Sequence, residues 1–436
     1  MLKTFGLASI TLGLGLAAAA QSTAPPPLAA PQLSPQAAYE QAVTPFEITR
    51  RSIQNWSDSE TAAFAIAVHN ASLACQARTV EQFSGDDLIT FARLCALGQQ
   101  WPSVSAAATR YIDTNATVKP QLSLAFAYRI NAAFNMKDEQ HGLAASITML
   151  SAVPYDLTVD QAMQGALHYM QLAFMADALT LYHAREPYIL KALSSQNAAA
   201  SAPIPRSTLY ADGLAYAALQ KFAGHDEDAT ETVHELDAAL PAKLEPDEEI
   251  PISASRRQYS FLGAKLPAIP LSVSLFAEHE TPRINPNYGS ATVLLLFPPW
   301  CAQCVRMGQS LRETLYRISM NDVRLYGLLA QAPPPVSTPP KPEPRIGKPK
   351  SSPEPTGPPV PKTAAELLVH TPTFIVPEAT LDQFAATDFP LLIATDSKGV
   401  IRFIQPASET TLNAGDFLDQ VAAHIAAQWP PAAPSK

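Results

Sequence analysis

The sequence predicts a multidomain chain: an all-α amino-terminal array of helical hairpins, then an α/β domain with a central sheet. Three observations carry this. Between about Ser57 and Leu240 the apolar residues recur every three or four positions, as in Leu122, Phe126, Ile130 and Phe134, which is the period of one helix face. From about Gln258 short apolar runs alternate with turn residues, the pattern of strands. One such run, Thr292 to Phe297, ends in Pro298-Pro299-Trp300-Cys301-Ala302-Gln303-Cys304, after which helical spacing returns at Met307, Leu311, Leu315 and Ile318.

The 436 residues carry a net charge of −9, and only 16% of them are Asp, Glu, Lys or Arg. That length suits two or three domains. That balance lacks the clustered basic face that nucleic acid requires, so no nucleic-acid partner is expected. Residues 1–20 read as a signal peptide. Lys3 supplies the positive charge, Phe5 to Ala20 is apolar, and Ala18-Ala19-Ala20 offers a small-residue cleavage site. An uncleaved anchor is the alternative, but the run is short for a bilayer and proline follows soon after it. No later window approaches a transmembrane span, so none is expected after signal removal. Export, to a bacterial periplasm or the exterior, would put the rest of the chain where disulfides persist.

Residues 21–38, rich in Ala, Pro and Ser, read as a linker with too little apolar surface to order itself. The helical array is expected over 39–244. Ser57 and Glu60 have capping-box spacing ahead of a helix from Ala62 to Ala77. The stripe on Leu122 to Phe134 is followed by a turn at Asp138 to Gly142 and a second stripe on Leu143, Ile147 and Leu150. Leu167, Met170 and Phe174 continue it, then Leu209 to Leu219 and, past Gly224, Thr230 to Leu240. Leu88 to Trp101, with Ala92, Ala96 and Gly98, is similar to a tetratricopeptide-type repeat, although the period along the chain is irregular. Such arrays bind proteins along a concave face; a helical bundle that only supports the next domain is the other reading.

Cys75 and Cys95 fall in this region. In an exported chain they are expected to form a structural disulfide, closing a loop of about 20 residues and stabilising by about 3 kcal/mol. In a simple hairpin, Cys75 would face a residue nearer Asp87. The bridge therefore needs either a long turn over Gln76 to Asp87 or strongly crossed helices. The cluster from His225 to Glu235 has metal-ligating residue types, but acidic residues in a first helical turn are better explained as a solvated helix start. Residues 245–257, opening with the acidic, proline-bearing Glu245 to Glu249, read as the interdomain linker.

The second domain is expected over 258–428, with a tail over 429–436. Its elements are strands at Leu271 to Phe276, Thr292 to Phe297 and Val323 to Leu329, then a Pro- and Lys-rich insert over 332–362 that reads as a disordered spacer. A helix from Thr363 to Val369, a strand from Thr373 to Val376 and a helix from Thr380 to Ala386 follow. Phe389-Pro390 leads into a strand from Leu391 to Thr395, a turn at Asp396 to Gly399 and a partner strand from Val400 to Ile404. A helix from Asp416 to Gln428 closes the domain.

The cysteine pair is where chemistry is expected. At the start of a helix, unpaired amides and the positive end of the dipole stabilise a thiolate on Cys301, and Cys304 can fold back to close a disulfide. A zinc half-site is the alternative, but the chain has no second Cys-x-x-Cys and no His at finger spacing. No metal or organic cofactor is expected.

Trp300-Cys301-Ala302-Gln303-Cys304 after a Leu-rich strand, Phe389-Pro390 followed by the strand and the Asp396 to Gly399 turn, and the strand-helix segment Thr373 to Ala386 together resemble thioredoxin-like proteins. Within them the exported TlpA-like thiol-disulfide oxidoreductases fit best, over about 258–428. The resemblance implies catalytic Cys301 and Cys304, a cis Pro390, and a docking surface shaped by Trp300, Phe389 and Pro390. It implies partners that are protein thiols or disulfides, with an unnamed redox partner, and leaves the helical array free to hold a protein ligand. Two positions depart from the family: Leu295 and Met307 stand where relatives carry acids that move protons at the second thiol. A protein-binding chain with a non-catalytic thioredoxin-like scaffold is the alternative. A peroxiredoxin-like peroxidase is disfavoured because Pro298 stands where its threonine would.

Overall fold

The computed structural model describes residues 33–52, 58–114, 121–170, 172–195, 204–271, 273–274, 291–301, 304, 323–331, 373–406 and 414–430. The signal-peptide expectation, Ser57 of the capping box, the helix after Cys304, the insert, the helix at 363–369 and nearly all of the tail lie outside these.

The amino-terminal part is helical: α1 (Pro35–Ser52), α2 (Asp58–Gln76), α3 (Asp86–Leu97), α4 (Trp101–Thr114), α5 (Leu122–Asn135), α6 (Glu139–Ala152), α7 (Leu157–Met170), α8 (Met175–Ser194), α9 (Arg206–Phe222), α10 (Asp226–Ala239) and α11 (Pro246–Ser260). Most helices pack on the next in sequence. The stripe Leu122, Phe126, Ile130 and Phe134 is buried in one continuous core that runs from Cys75 to Leu219. Helix ends follow local chemistry. The Asp138 side chain accepts from the His141 amide at the start of α6, and Gly224, at φ 88°, lets the chain turn out of α9.

Two boundaries differ from expectation. The first described helix begins at Pro35, inside the segment expected as a linker, where Ala38 and Ala42 are small enough to bury against Ala71 and Leu94. The segment expected as an interdomain linker is α11. Pro246 takes the first helical turn, Asp247, Glu248 and Glu249 complement the dipole there, and Ile252 is fully buried. Arg206 grips Glu248 at 3.1 Å and Arg256 grips Asp237 at 2.6 Å, so α11 is tied to α9 and α10.

Cys75 and Cys95 are bonded, with sulfurs 2.05 Å apart. The connection from Ala77 to Gly85 includes a 3₁₀ turn, Val80–Gln82, and Gly85 at φ 55° redirects the chain into α3. The carboxyl-terminal end of α3 thus returns to the end of α2 instead of lying beside its start. A Cβ on Gly98 would sit 2.5 Å from the Ser72 nitrogen, and Gln100 donates to the Ser72 hydroxyl at 2.9 Å. Glycine is required for that approach.

A mixed sheet follows: β1 (Val273–Ser274), β2 (Ala291–Phe297), β3 (Val323–Gln331), β4 (Thr373–Pro377), β5 (Leu391–Thr395) and β6 (Ile401–Pro406), in the order β1-β4-β3-β2-β5-β6. β3 is parallel to β2 and β4, whereas β1, β5 and β6 pair antiparallel. Two helices accompany it, α12 (Ala379–Gln383) and α13 (Ala414–Gln428). Alternation distributes β2 between two cores. Val293, Leu295 and Phe297 join α13 on one face, while Leu294 and Leu296 join Leu262 and Phe384 on the other.

The helical part closes onto this sheet. Phe222 at the end of α9 meets Phe403 edge-on at 5.2 Å, and His424 of α13 lies 2.7 Å from the Phe222 carbonyl. Leaving α11, the chain bonds Gly263 to the Ile401 carbonyl and Leu266 to the Gly399 carbonyl, both at 2.8 Å, which covers the outer edge of β6.

Candidate functional site

β2 is a central strand buried along its whole length, and its register with β3 and β5 fixes where it ends. The chain leaves the sheet at Phe297, and Cys301 and Cys304 stand just beyond that end. Their sulfurs are bonded at 2.04 Å. The Cys301 amide donates to the Pro298 carbonyl at 3.2 Å, which closes the turn. The Cys304 backbone is helical, and its amide N–H points at the Cys301 sulfur at 3.1 Å. After reduction that N–H would meet a thiolate on Cys301, and hydrogen bonding to the charged form lowers a thiol pKa. No such donor to the Cys304 sulfur is seen among the described residues. Among the described residues the Cys301 sulfur thus has an amide donor that the Cys304 sulfur lacks.

Exposure does not separate them in this oxidised state. Cys301 is 6% exposed and Cys304 8% exposed. Both sulfurs share the apolar core of Val293, Leu295, Phe297 and α13. Leu295 is itself buried in that core.

The Phe389–Pro390 peptide is cis, the isomer that the resemblance implies at this position. Leu391 pairs with Leu296, so Pro390 lies beside the end of β2 from which the cysteine turn departs. The Trp300 and Phe389 rings meet edge-on at 5.5 Å, joining the two loops that flank the disulfide. Trp300 Nε1 is buried and has no hydrogen-bond partner among the described residues. The loop from Asp396 to Gly399 is held by the buried Asp396, which accepts from the Lys398 and Val400 amides at 2.8 and 3.0 Å and from Arg402 at 2.9 Å. This group fixes the β5–β6 connection, at the end of the sheet away from the cysteines. Cys75 and Cys95 sit in the helical core, and the Cys75–Cys95 and Cys301–Cys304 disulfides are separate.

One polar cluster has no counterpart in the sequence expectations. Arg185 of α8, 1% exposed, donates through Nη2 to Asp160 Oδ1 at 2.6 Å and to Asp212 Oδ2 at 2.5 Å, and through Nε to the Tyr155 hydroxyl at 2.7 Å. Tyr155 and Gln164 complete the shell of Asp160. Burial disfavours the Arg185 charge, yet Asp212, Tyr155 and Asp160 outweigh it and hold its pKa above the ordinary value. Burial pushes the Asp212 carboxyl up against the pull of Arg185. No local pattern announces this cluster, since its members come from three helices and from the chain just before α7. In the sequence Arg185 stands between His183-Ala184 and Glu186, so nothing there marks it as buried.

Among the described residues, no group of three or more His, Cys, Asp or Glu is placed to hold a metal, and no helix is long and apolar enough to cross a membrane. His225 and Asp228 pair within the first turn of α10, at 3.5 Å. No family model matches the chain, and neither curated proteins nor solved structures give a match to it.

Proposed function

We propose that the carboxyl-terminal part is a thioredoxin-like domain of the TlpA-like kind, and that the chain is an exported protein thiol-disulfide oxidoreductase working through Cys301 and Cys304. The observation that carries the reading is the Cys304 N–H directed at the Cys301 sulfur 3.1 Å away, in a disulfide at the end of a central strand. The parallel β3, the antiparallel β5 and β6, and the cis Pro390 beside the pair support the domain assignment.

In the oxidising direction a substrate thiolate attacks Cys301 Sγ. The Cys301–Cys304 bond breaks, its electron pair leaves as a thiolate on Cys304, and a mixed disulfide joins Cys301 to the substrate. A second substrate thiolate then attacks the substrate sulfur and releases Cys301 as a thiolate, which the Cys304 N–H receives. The substrate loses two electrons and the protein gains two. The reducing direction runs the same steps backwards, and the redox partner is a second protein dithiol or disulfide. Trp300, Phe389 and Pro390 flank the attacked sulfur and form the docking surface. The helical part, read as a tetratricopeptide-like array, is proposed to hold a protein ligand. Export follows the reading of residues 1–20 and suits the Cys75–Cys95 bond.

The test is the Cys304→Ser variant. It is expected to accumulate a mixed disulfide through Cys301 with a disulfide substrate such as intact insulin, the other substrate sulfur leaving as a thiolate, while Cys301→Ser accumulates none. Equal trapping by both variants overturns the roles. One observation favours a second reading, a static disulfide in a binding scaffold: both sulfurs are more than nine-tenths buried, and Leu295 offers no proton relay. Under that reading neither variant traps substrate.

A further inference from the structure

We propose that the half-open cavity bordered by α7, α8, α9, β6 and α13 binds a small organic ammonium ion with an apolar body. This does not rest on the redox reading. The cavity, about 280 Å³, lies where the helical part meets the sheet. Gln405 borders it and pairs with Leu392, so it sits at the same end of the sheet as Pro390 and the disulfide.

Its polar wall is Arg185, Asp212 and Gln164. Arg185 faces two carboxylates, Asp160 and Asp212, so the three together hold one negative charge in excess. Asp212 spends only Oδ2 on Arg185 and Gln164, which leaves Oδ1 without a partner among the described residues. Its side chain is 21% exposed, so an incoming group can reach it. The remaining walls suit a cation with an apolar body. Three aromatic rings border the space: Tyr182, Phe403 and Phe417. Phe403 and Phe417 meet edge-on at 5.7 Å, and ring faces attract ammonium groups. Leu167 and Leu219 complete an apolar lining large enough for one ring and a short arm. A carboxylate ligand would add to the existing excess of negative charge, and a neutral one would leave it uncompensated.

The experiment is calorimetric titration of the full chain, oxidised, at about pH 8, where a primary ammonium probe is charged. The probes are 2-phenylethylammonium, 2-phenylethanol and 3-phenylpropionate, which share a ring and differ in charge. The ammonium is expected to bind roughly tenfold or more tighter than the alcohol, with the carboxylate weakest. Asp212→Asn is expected to abolish that preference, and Ala215→Leu, which fills the cavity, to weaken the ammonium and the alcohol alike. If Asp212→Asn does not fold, the probe series and Ala215→Leu decide. Equal affinity for alcohol and ammonium, tightest binding by the carboxylate, no heat at millimolar probe, or ammonium binding unchanged by Ala215→Leu each overturns the proposal.

Discussion

Replacing Arg185 with methionine tests the polar core of the helical part. The guanidinium makes three contacts between 2.5 and 2.7 Å, to Asp160, Asp212 and Tyr155. Methionine fills similar apolar volume but leaves the carboxylates without a counter-charge, and the Asp160 side chain is 2% exposed. Removing one partner of such a pair costs about 3–5 kcal/mol. For a helical unit of this size that is a drop of roughly 6–20 °C in melting temperature. The assay is thermal and urea unfolding followed by helical circular dichroism. The pH dependence has a definite sign. Without Arg185 the Asp212 carboxyl, already pushed up by burial, rises further above the unfolded value of about 3.9, so between neutral pH and about pH 4 the folded variant binds protons that its unfolded chain does not. Its stability relative to the wild type therefore rises as pH falls. Burial already pushes Asp212 up in the wild type, which gives a smaller slope of the same sign. Adding Asp160→Asn and Asp212→Asn to the variant should restore part of the loss at neutral pH. A loss under about 1 kcal/mol at neutral pH, or one that grows on acidification, would refute the reasoning.

Other outcomes are equally specific. Gly98→Ala is expected to destabilise by about 1–3 kcal/mol, because its Cβ meets the α2 backbone at 2.5–2.7 Å; Gly165→Ala, with nothing within 4 Å, should instead gain about 0.5–1 kcal/mol, and chemical denaturation separates the two. Cys75→Ala with Cys95→Ala should lower stability by about 3 kcal/mol and leave the titration of Cys301 and Cys304 unchanged, since the two disulfides share no residue. Replacing 332–362 with a short Gly-Ser connection should preserve a cooperative melt, because closure entropy grows only logarithmically with length; loss of cooperativity would make the insert structural.

Much of the architecture was legible because its signals are local. The four-residue stripe of α5 and the apolar run Val293 to Phe297 of β2 name their elements without tertiary information. The segment at 245–257 was misread because acidic residues and prolines also describe a loop. Pro246 followed by Asp247, Glu248 and Glu249 is equally a helix start, and Pro251 in the interior obscured that. The disulfide between Cys75 and Cys95 was legible as a pairing but not as a path, since the path depends on Gly85 and the 3₁₀ turn. At the candidate site, Cys301, Cys304, Trp300, Phe389 and Pro390 stood in recognisable order. Their shared burial did not, because it depends on α13 folding over the pair from more than a hundred residues away. Arg185 and its carboxylates belong to the same class: residues whose meaning exists only after helices pack.

The central claim is that Cys301 and Cys304 cycle between dithiol and disulfide. The most direct measurement equilibrates the full chain in glutathione buffers of stepped potential, quenches with an alkylating agent, and quantifies the Cys301–Cys304 peptide. The account predicts a reversible transition with a slope of about 30 mV per decade and a midpoint between about −120 and −300 mV, as for known exchange catalysts. A bond that stays closed below about −300 mV, with Cys301 and Cys304 protected from alkylation throughout, would make the pair a structural brace and contradict the claim.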